Sequence, residues 1–433
     1  MKKARGLRFL SYFFLFCFIF SVTAVYAESR SKEDIRYAKG FLSWLKSNRD
    51  KNWGVPYSHV GDERFSRWTI TYDSAVVALA YIAAGEIEDA RKVIDFYNYK
   101  PQVWRLGGII EAFVAGDDIQ GEDWSVRLGA NIWMGIASIH LYFNTKDQRY
   151  LDFAKNIAEF AIGLQCADNK SPLFGGIALG PPGDSAYSGD QHIAYDLGKP
   201  SFDQIYSTEV CIDGYALFRN LHKATGEEKY ATAANNCLQW LKSNAFNKME
   251  HRFNRGYLDS IVATDVQSWA LSALGVELLD TFEEGLAENM AAFVEQKCLS
   301  EVTFVTGDNR KMTVTGVDFV DRNRAKSLGR EPLVSFEWSF QLANAYLRLE
   351  RDFEQLGQVR KAKKYRIKRQ KLLKSLLPVA IKREGGLSYP YATQGNAVVG
   401  HEYNTPKEGA LSAIGAAYAI LALKGFDPLC QGE

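Results

Sequence analysis

The chain has 433 residues, 47% of them hydrophobic and 24% charged, with a formal net charge of +1. This is the balance of an ordinary globular protein, too apolar for a disordered chain and without the glycine period of a fibrous one. Near-neutral charge argues against nucleic acid as a partner.

Taken in chain order, residues 1–27 have the pattern of an export signal. Lys2, Lys3, Arg5 and Arg8 precede an apolar run from Phe9 to Phe20, and Val25-Tyr26-Ala27 offers small residues at a cleavage site. The run is long for a signal, so an uncleaved membrane anchor is the competing reading. Cys17 lies inside the run, and no cysteine follows at a lipid-attachment position. The expected location is periplasmic or secreted, and loss of the segment takes the net charge from +1 to −3. The remaining cysteines (Cys166, Cys211, Cys237, Cys298 and Cys430) have neither metal-ligand spacing nor a disulfide framework. They read as buried apolar side chains, with room for one disulfide in an oxidising compartment.

Ser31 can cap a helix in which Ile35, Ala38, Phe41, Leu42 and Leu45 recur at helical spacing. Helical pairs are then expected at 71–84 with 86–97, 129–143 with 147–164, 207–222 with 227–242, 264–279 with 282–294, and 335–349 with 357–377, followed by a lone helix at 408–423. The second helix of the fifth pair is strongly basic and reads as a solvated face. A loop of roughly forty residues after the second pair is too long for an idle connector and is a candidate lid or cleft wall. Residues 301–315 are expected to form a hairpin within another loop.

Within each pair the turn is tight. Thr145-Lys-Asp-Gln-Arg-Tyr150 and Thr225-Gly-Glu-Glu-Lys-Tyr230 superpose residue by residue, and Ala84-Gly-Glu-Ile-Glu-Asp-Ala90 is a looser copy. Each sets a breaker or cap residue before acidic side chains in the next first turn, where the helix dipole favours them. The first helix of each pair is rich in Ala, Gly and Ser and suits a crowded interior, whereas the second is more charged and suits an outer layer. Counting the N-terminal helix as the partner of the last gives six inner and six outer helices, which close a ring. All long loops then lie at the rim where inner helices begin, and that rim should hold the site.

The inner helices open with carboxylates and aromatics. Asp73, Glu209, Asp265 and Glu337 are the candidate catalytic residues; Trp68, Tyr72, Trp133, Asp213, Trp269 and Trp338 are candidates for substrate binding. Flat rings for sugar faces and two carboxyl groups for proton transfer are what a glycosidic bond requires. Each has a structural alternative. Thr264-x-x-Gln267 has the form of a capping box, which would make Asp265 a favourable first-turn acid, and Asp73 could be a cap. Glu209 and Asp213 share a helix face one turn apart, a mildly unfavourable pairing that asks for a reason. Trp44 and Trp240 fall on outer helices and read as core.

No cofactor and no catalytic metal are expected. His401-Glu402 lacks the second histidine of a zinc helix, residues 116–123 do not match the twelve-residue calcium loop, and no phosphate-binding glycine loop is present.

The hairpin order, with helix openings such as Ser207-Thr-Glu-Val-Cys-Ile-Asp213 and Thr264-Asp-Val-Gln-Ser-Trp269, resembles the (α/α)6 toroids of the six-hairpin glycosidase superfamily over almost all of residues 28–433. The resemblance implies an all-α catalytic toroid acting on a polysaccharide or oligosaccharide. It does not choose among hydrolases, lyases and epimerases.

The first expectation is a glycoside hydrolase with Glu209 as the acid. The second is a polysaccharide lyase or uronate epimerase, using Tyr187, His192, Tyr195 or Tyr206 as base with Arg105 or Arg127 to hold a carboxylate. The third is a noncatalytic glycan-binding protein of an envelope polysaccharide system.

Overall fold

The computed structural model describes residues 31–116, 119–185, 200–307, 309–401 and 403–430. Within them the helices are α1 (Lys32–Ser47), α2 (Thr71–Ala84), α3 (Ile87–Tyr99), α4 (Leu128–Thr145), α5 (Gln148–Gly163), α6 (Thr208–Thr225), α7 (Glu228–Trp240), α8 (Thr264–Asp280), α9 (Leu286–Lys297), α10 (Arg322–Ser327), α11 (Phe336–Gln355), α12 (Val359–Leu376) and α13 (Ala413–Lys424). Helices α2, α4, α6, α8, α11 and α13 pack each against the next, and α13 returns to α2, so the inner ring closes. Around it α3, α5, α7, α9 and α12 each back the inner helix that precedes them, and α1 backs α13. The two ends of the chain thus complete the last hairpin.

The tight turns explain the recurrence in the sequence. Lys146 and Gly226 both take a left-handed conformation (φ 58° and 70°), and in each turn the preceding threonine acts twice. Thr145 Oγ1 donates to Leu141 O and accepts from Asp147 N, and Thr225 Oγ1 donates to Leu221 O and accepts from Glu227 N. One hydroxyl thereby closes one helix and opens the next.

Small residues let the inner helices approach. A Cβ on Gly135 of α4 would stand 2.9 Å from Leu217 Cδ2 of α6. Trp44 and Trp240 are buried on the outer layer as their positions imply. Helix α8 is broken at Gly275 (φ 69°, ψ −178°), and Asp352 Oδ2 accepts the freed Val276 N–H at 2.8 Å.

At the end of the inner ring away from the long loops, the segment after α13 folds across the barrel. Leu429 O accepts from Arg219 at 2.6 Å, Pro428 O pairs with His140 Nε2 at 2.8 Å, and Gly425 O accepts from Arg351 at 3.0 Å.

The long loops form the opposite rim and carry short antiparallel ribbons, among them 299–305 with 311–317 as expected, and 68–70 with 112–114. The last inner helix starts at Ala413 rather than at 408. Gly409 takes φ 80°, and 411–412 pairs in an extended ladder with 59–60, which holds the chain out of the helix until that strand ends.

Candidate active site

The rim is assembled by backbone, and this releases its side chains. The first N–H of α2 donates to Glu111 O (2.9 Å), that of α4 to Leu179 O (2.7 Å), that of α6 to Arg255 O (2.9 Å), that of α8 to Phe319 O (3.2 Å) and that of α13 to Ser58 O (2.9 Å). These helices carry no side-chain N-cap; α11 alone in the inner ring is capped, by Ser335 on Trp338 N. A loop carbonyl does what a cap side chain would do. The capping box expected at Thr264 is therefore absent: Gln267 instead bonds both backbone groups of Phe253, and Asp73 caps nothing.

Asp73, Asp213, Asp265 and Glu337 are buried, and Glu209 is half-buried. Burial, first of all, raises every one of them above the usual carboxylate range. Their mutual repulsion adds to it. Asp265 feels Glu209, Glu337 and Asp213, while Glu337 feels Asp73 and Glu209, so the ring brings all five residues around one centre. Asp73 is pushed up to about 7 and Glu337 to about 8. Glu209 and Asp265 both go up, by burial first, and the charge of Glu209 adds to the rise at Asp265. Arg255 opposes the rise at Glu209; at Asp265 the opposing influence is only a 2.8 Å hydrogen bond from Val266 N.

Glu337 is held from one side. Its Oε1 accepts from Tyr72 OH at 2.9 Å and from Gln341 Nε2 at 3.1 Å, and Tyr72 OH lies 3.0 Å from Tyr418 OH. Both donors favour its ionised form against the effect of burial.

Below the carboxylates the aromatic rings pack on one another. Trp133 and Trp269 lie 5.2 Å apart, and Tyr72 meets Trp133 edge-on at 5.5 Å. These tryptophans form a buried floor; the Trp269 indole N–H finds no partner among the described residues, and the Trp133 indole faces Asp213 and opposes the rise of its pKa. Trp338 packs on Phe319 at 4.8 Å and on His401 at 5.6 Å. Trp68 stands apart, half-buried against Phe65. Over the cluster Tyr391 and Tyr403 join hydroxyls at 2.8 Å, and Tyr403 feels the charges of Glu337, Asp265 and Glu209.

Glu111 is a further carboxyl in this cluster, pushed by burial to about 7 and acting on Asp73. It is the one charged residue between Leu106 and Ala115, a signal that the sequence does carry. Arg255, Tyr391, Tyr403 and Tyr418 have no comparable mark and become visible only in the fold.

Tyr187, His192 and Tyr195 lie outside the described residues, as do Asp117, Asp118 and Glu402. Tyr206 is half-buried, in a bridge with Ala178. Arg105 is paired with Asp184 at 2.9 Å and Arg127 stands 3.8 Å from Asp123. Among the described residues no three His, Cys, Asp or Glu side chains are grouped to hold a metal ion, and the five cysteines there are free thiols.

No protein-family model matches the chain, nor does any curated sequence. Solved structures do. A sugar epimerase from a ruminal bacterium superposes with a TM-score of 0.61 at 11% identity, over 91% of this chain and 99% of its own. Its fold is an (α/α)6 toroid. A GH76 α-mannanase from Bacteroides thetaiotaomicron follows with a TM-score of 0.59 at 13% identity, over 90% and 94%. An inactive variant of the Salegentibacter α-1,6-mannanase in complex with α-1,6-mannotriose superposes at 0.54 and 11% identity, over 91% and 99%. At these identities the likeness establishes the toroid expected from the helix openings, and it covers the hairpins of both layers.

Proposed function

We propose that this toroid is a glycoside hydrolase acting on an uncharged oligosaccharide or polysaccharide. The observation that carries the proposal is the neighbouring carboxyls Glu209 and Asp265, the first acting on the second through its charge, set over an aromatic floor and without a cation in ion-pair contact with either. A buried acid that holds its proton near neutrality can protonate a glycosidic oxygen; its ionised neighbour can activate water or attack the anomeric carbon. Arg255 favours ionised Glu209, whereas Asp265 is backed by three like charges. Asp265 is therefore assigned as the acid and Glu209 as its ionised partner, whereas the sequence alone points to Glu209 as the acid. Asp73, Glu337 and Asp213 are the further carboxyls around the pair, and both Glu337 and Asp213 add to the rise at Asp265.

The uronate lyase and epimerase readings need a guanidinium for the substrate carboxylate and a free base. Arg105 and Arg127 stand with Asp184 and Asp123, and Arg255 is bonded to Asp259 at 2.6 Å. His401 has both ring nitrogens in contact, with Arg255 at 3.1 Å and with Phe319 O at 3.1 Å. Burial also lowers its pKa to about 4. These commitments support hydrolysis over proton abstraction. Residues 1–27 further support export to the periplasm or medium, with residues 28–433 as one catalytic unit.

Incubation with a glycan panel, reading reducing ends, unsaturated uronates and epimeric products separately, tests the reading. New reducing ends alone are expected. Unsaturated or epimerised products would replace the hydrolase with one of its alternatives, and glycan binding without turnover would leave a binding protein.

A further inference from the structure

The outer helix α12 carries nine Lys and Arg residues and no acid between Val359 and Leu376. Sequence alone reads this as a solvated face, and for its flanks the structure agrees. Lys361 and Lys364 pair with Glu288, Arg366 with Glu350 and Glu354, Lys368 with Glu295, and Arg369 with Glu350. These contacts tie α12 to α9 and α11.

The outward face is different. Arg360, Lys363, Lys371 and Lys374 are exposed and have no ion-pair partner among the described residues. Spaced by three, eight and three residues, they fall on one side of the helix, in a line about 21 Å long at helical rise. Apolar side chains on the same helix are exposed beside them: Val359 is 71% exposed and Ile367 41%. A basic face that also exposes branched apolar side chains is costly in water, and it matches the boundary between lipid headgroups and acyl chains.

We propose that α12 docks the protein on an anionic phospholipid surface, its four unpaired cations meeting headgroup phosphates while Val359 and Ile367 enter the acyl boundary. An anionic polymer would satisfy the charges, but it gives the apolar side chains nothing to enter, and the face is a convex ridge rather than a groove that tracks a strand. No described helix is long and apolar enough to cross a membrane. The contact uses the outer wall of the ring and leaves the carboxylate rim open. The inference is independent of the reaction proposed above.

Flotation with vesicles of phosphatidylcholine, with or without about one third phosphatidylglycerol, tests it. Binding is expected only with phosphatidylglycerol and should weaken as salt is raised. The variant Arg360→Gln, Lys363→Gln, Lys371→Gln, Lys374→Gln should lose about tenfold or more in vesicle affinity with its thermal midpoint and glycan turnover unchanged. Ile367→Ser should weaken vesicle binding about twofold or more and leave binding to dextran sulfate unchanged. Equal binding to both vesicle types, equal binding by the quadruple variant, or capture by dextran sulfate without vesicle binding would each overturn the proposal.

Discussion

At the closed end of the inner ring, Arg348 and Asp352 pair at 2.8 Å in the space opened by the Gly275 kink, and Arg219 and Arg351 are spent on backbone carbonyls. At the rim, Asp73, Asp213, Asp265 and Glu337 are buried just as deeply with no cation in ion-pair contact. Both ends remove charged side chains from water, at a cost of several kcal/mol for each ion left charged. One end offsets that cost with partners and holds the barrel shut. The other lets the groups take up protons instead, and the proton is what the proposed chemistry uses. Burial alone does not separate structural charge from functional charge; pairing does.

The contrast is broken most decisively at the rim. Asp265→Asn and Glu209→Gln should each lower turnover by about a thousandfold or more while the thermal midpoint stays or rises, since a repelling carboxyl has been removed. Loss of both activity and fold would place these residues with the structural end. At the closed end Arg348→Ala should cost about 3–5 kcal/mol in urea denaturation and leave turnover per folded molecule nearly unchanged.

Protonation sharpens the comparison further. The folded chain holds protons on Asp73 to about pH 7 and on Glu337 to about pH 8 that the unfolded chain releases near pH 4. The native state binds more protons between those limits, so stability should fall as pH rises from about 4 to about 8, and Glu337→Gln should flatten the slope. A stability that rises across that interval would show these groups to be ionised in the folded state.

Smaller effects are expected beside Glu337 and at the outer rim. Tyr72→Phe removes a donor that favours the Glu337 carboxylate, so the Glu337 pKa, read from the pH dependence of stability, should move up by about one unit at most. Trp68→Ala, outside the carboxylate cluster, should raise KM less than about threefold with kcat unchanged.

Much of this molecule was legible before folding. Hairpin pairing followed from Thr145 and Thr225, because a cap residue and an αL position act over a few residues and leave a local mark. Inner and outer layers followed from the Ala, Gly and Ser content of one set of helices. The rim as the face that carries the long loops followed from the loop lengths. The structure departs from the sequence expectation in one way: the last inner helix begins at Ala413, five residues beyond the expected 408, and Thr264 forms no capping box. Both depend on partners far along the chain, His59 and Val60 pairing with 411–412 and Phe319 taking the first N–H of α8.

The sequence by itself determined the ring and the face on which carboxylates gather, since periodicity, turn chemistry and composition act locally. Only the tertiary structure decided which of those carboxylates lack a partner, that Tyr72 and Gln341 serve Glu337, that Glu111 joins Asp73, and that four cations on α12 face outward unpaired. Pairing is a property of distance, and distance between residues 209 and 265, or 72 and 337, exists only once the ring has closed.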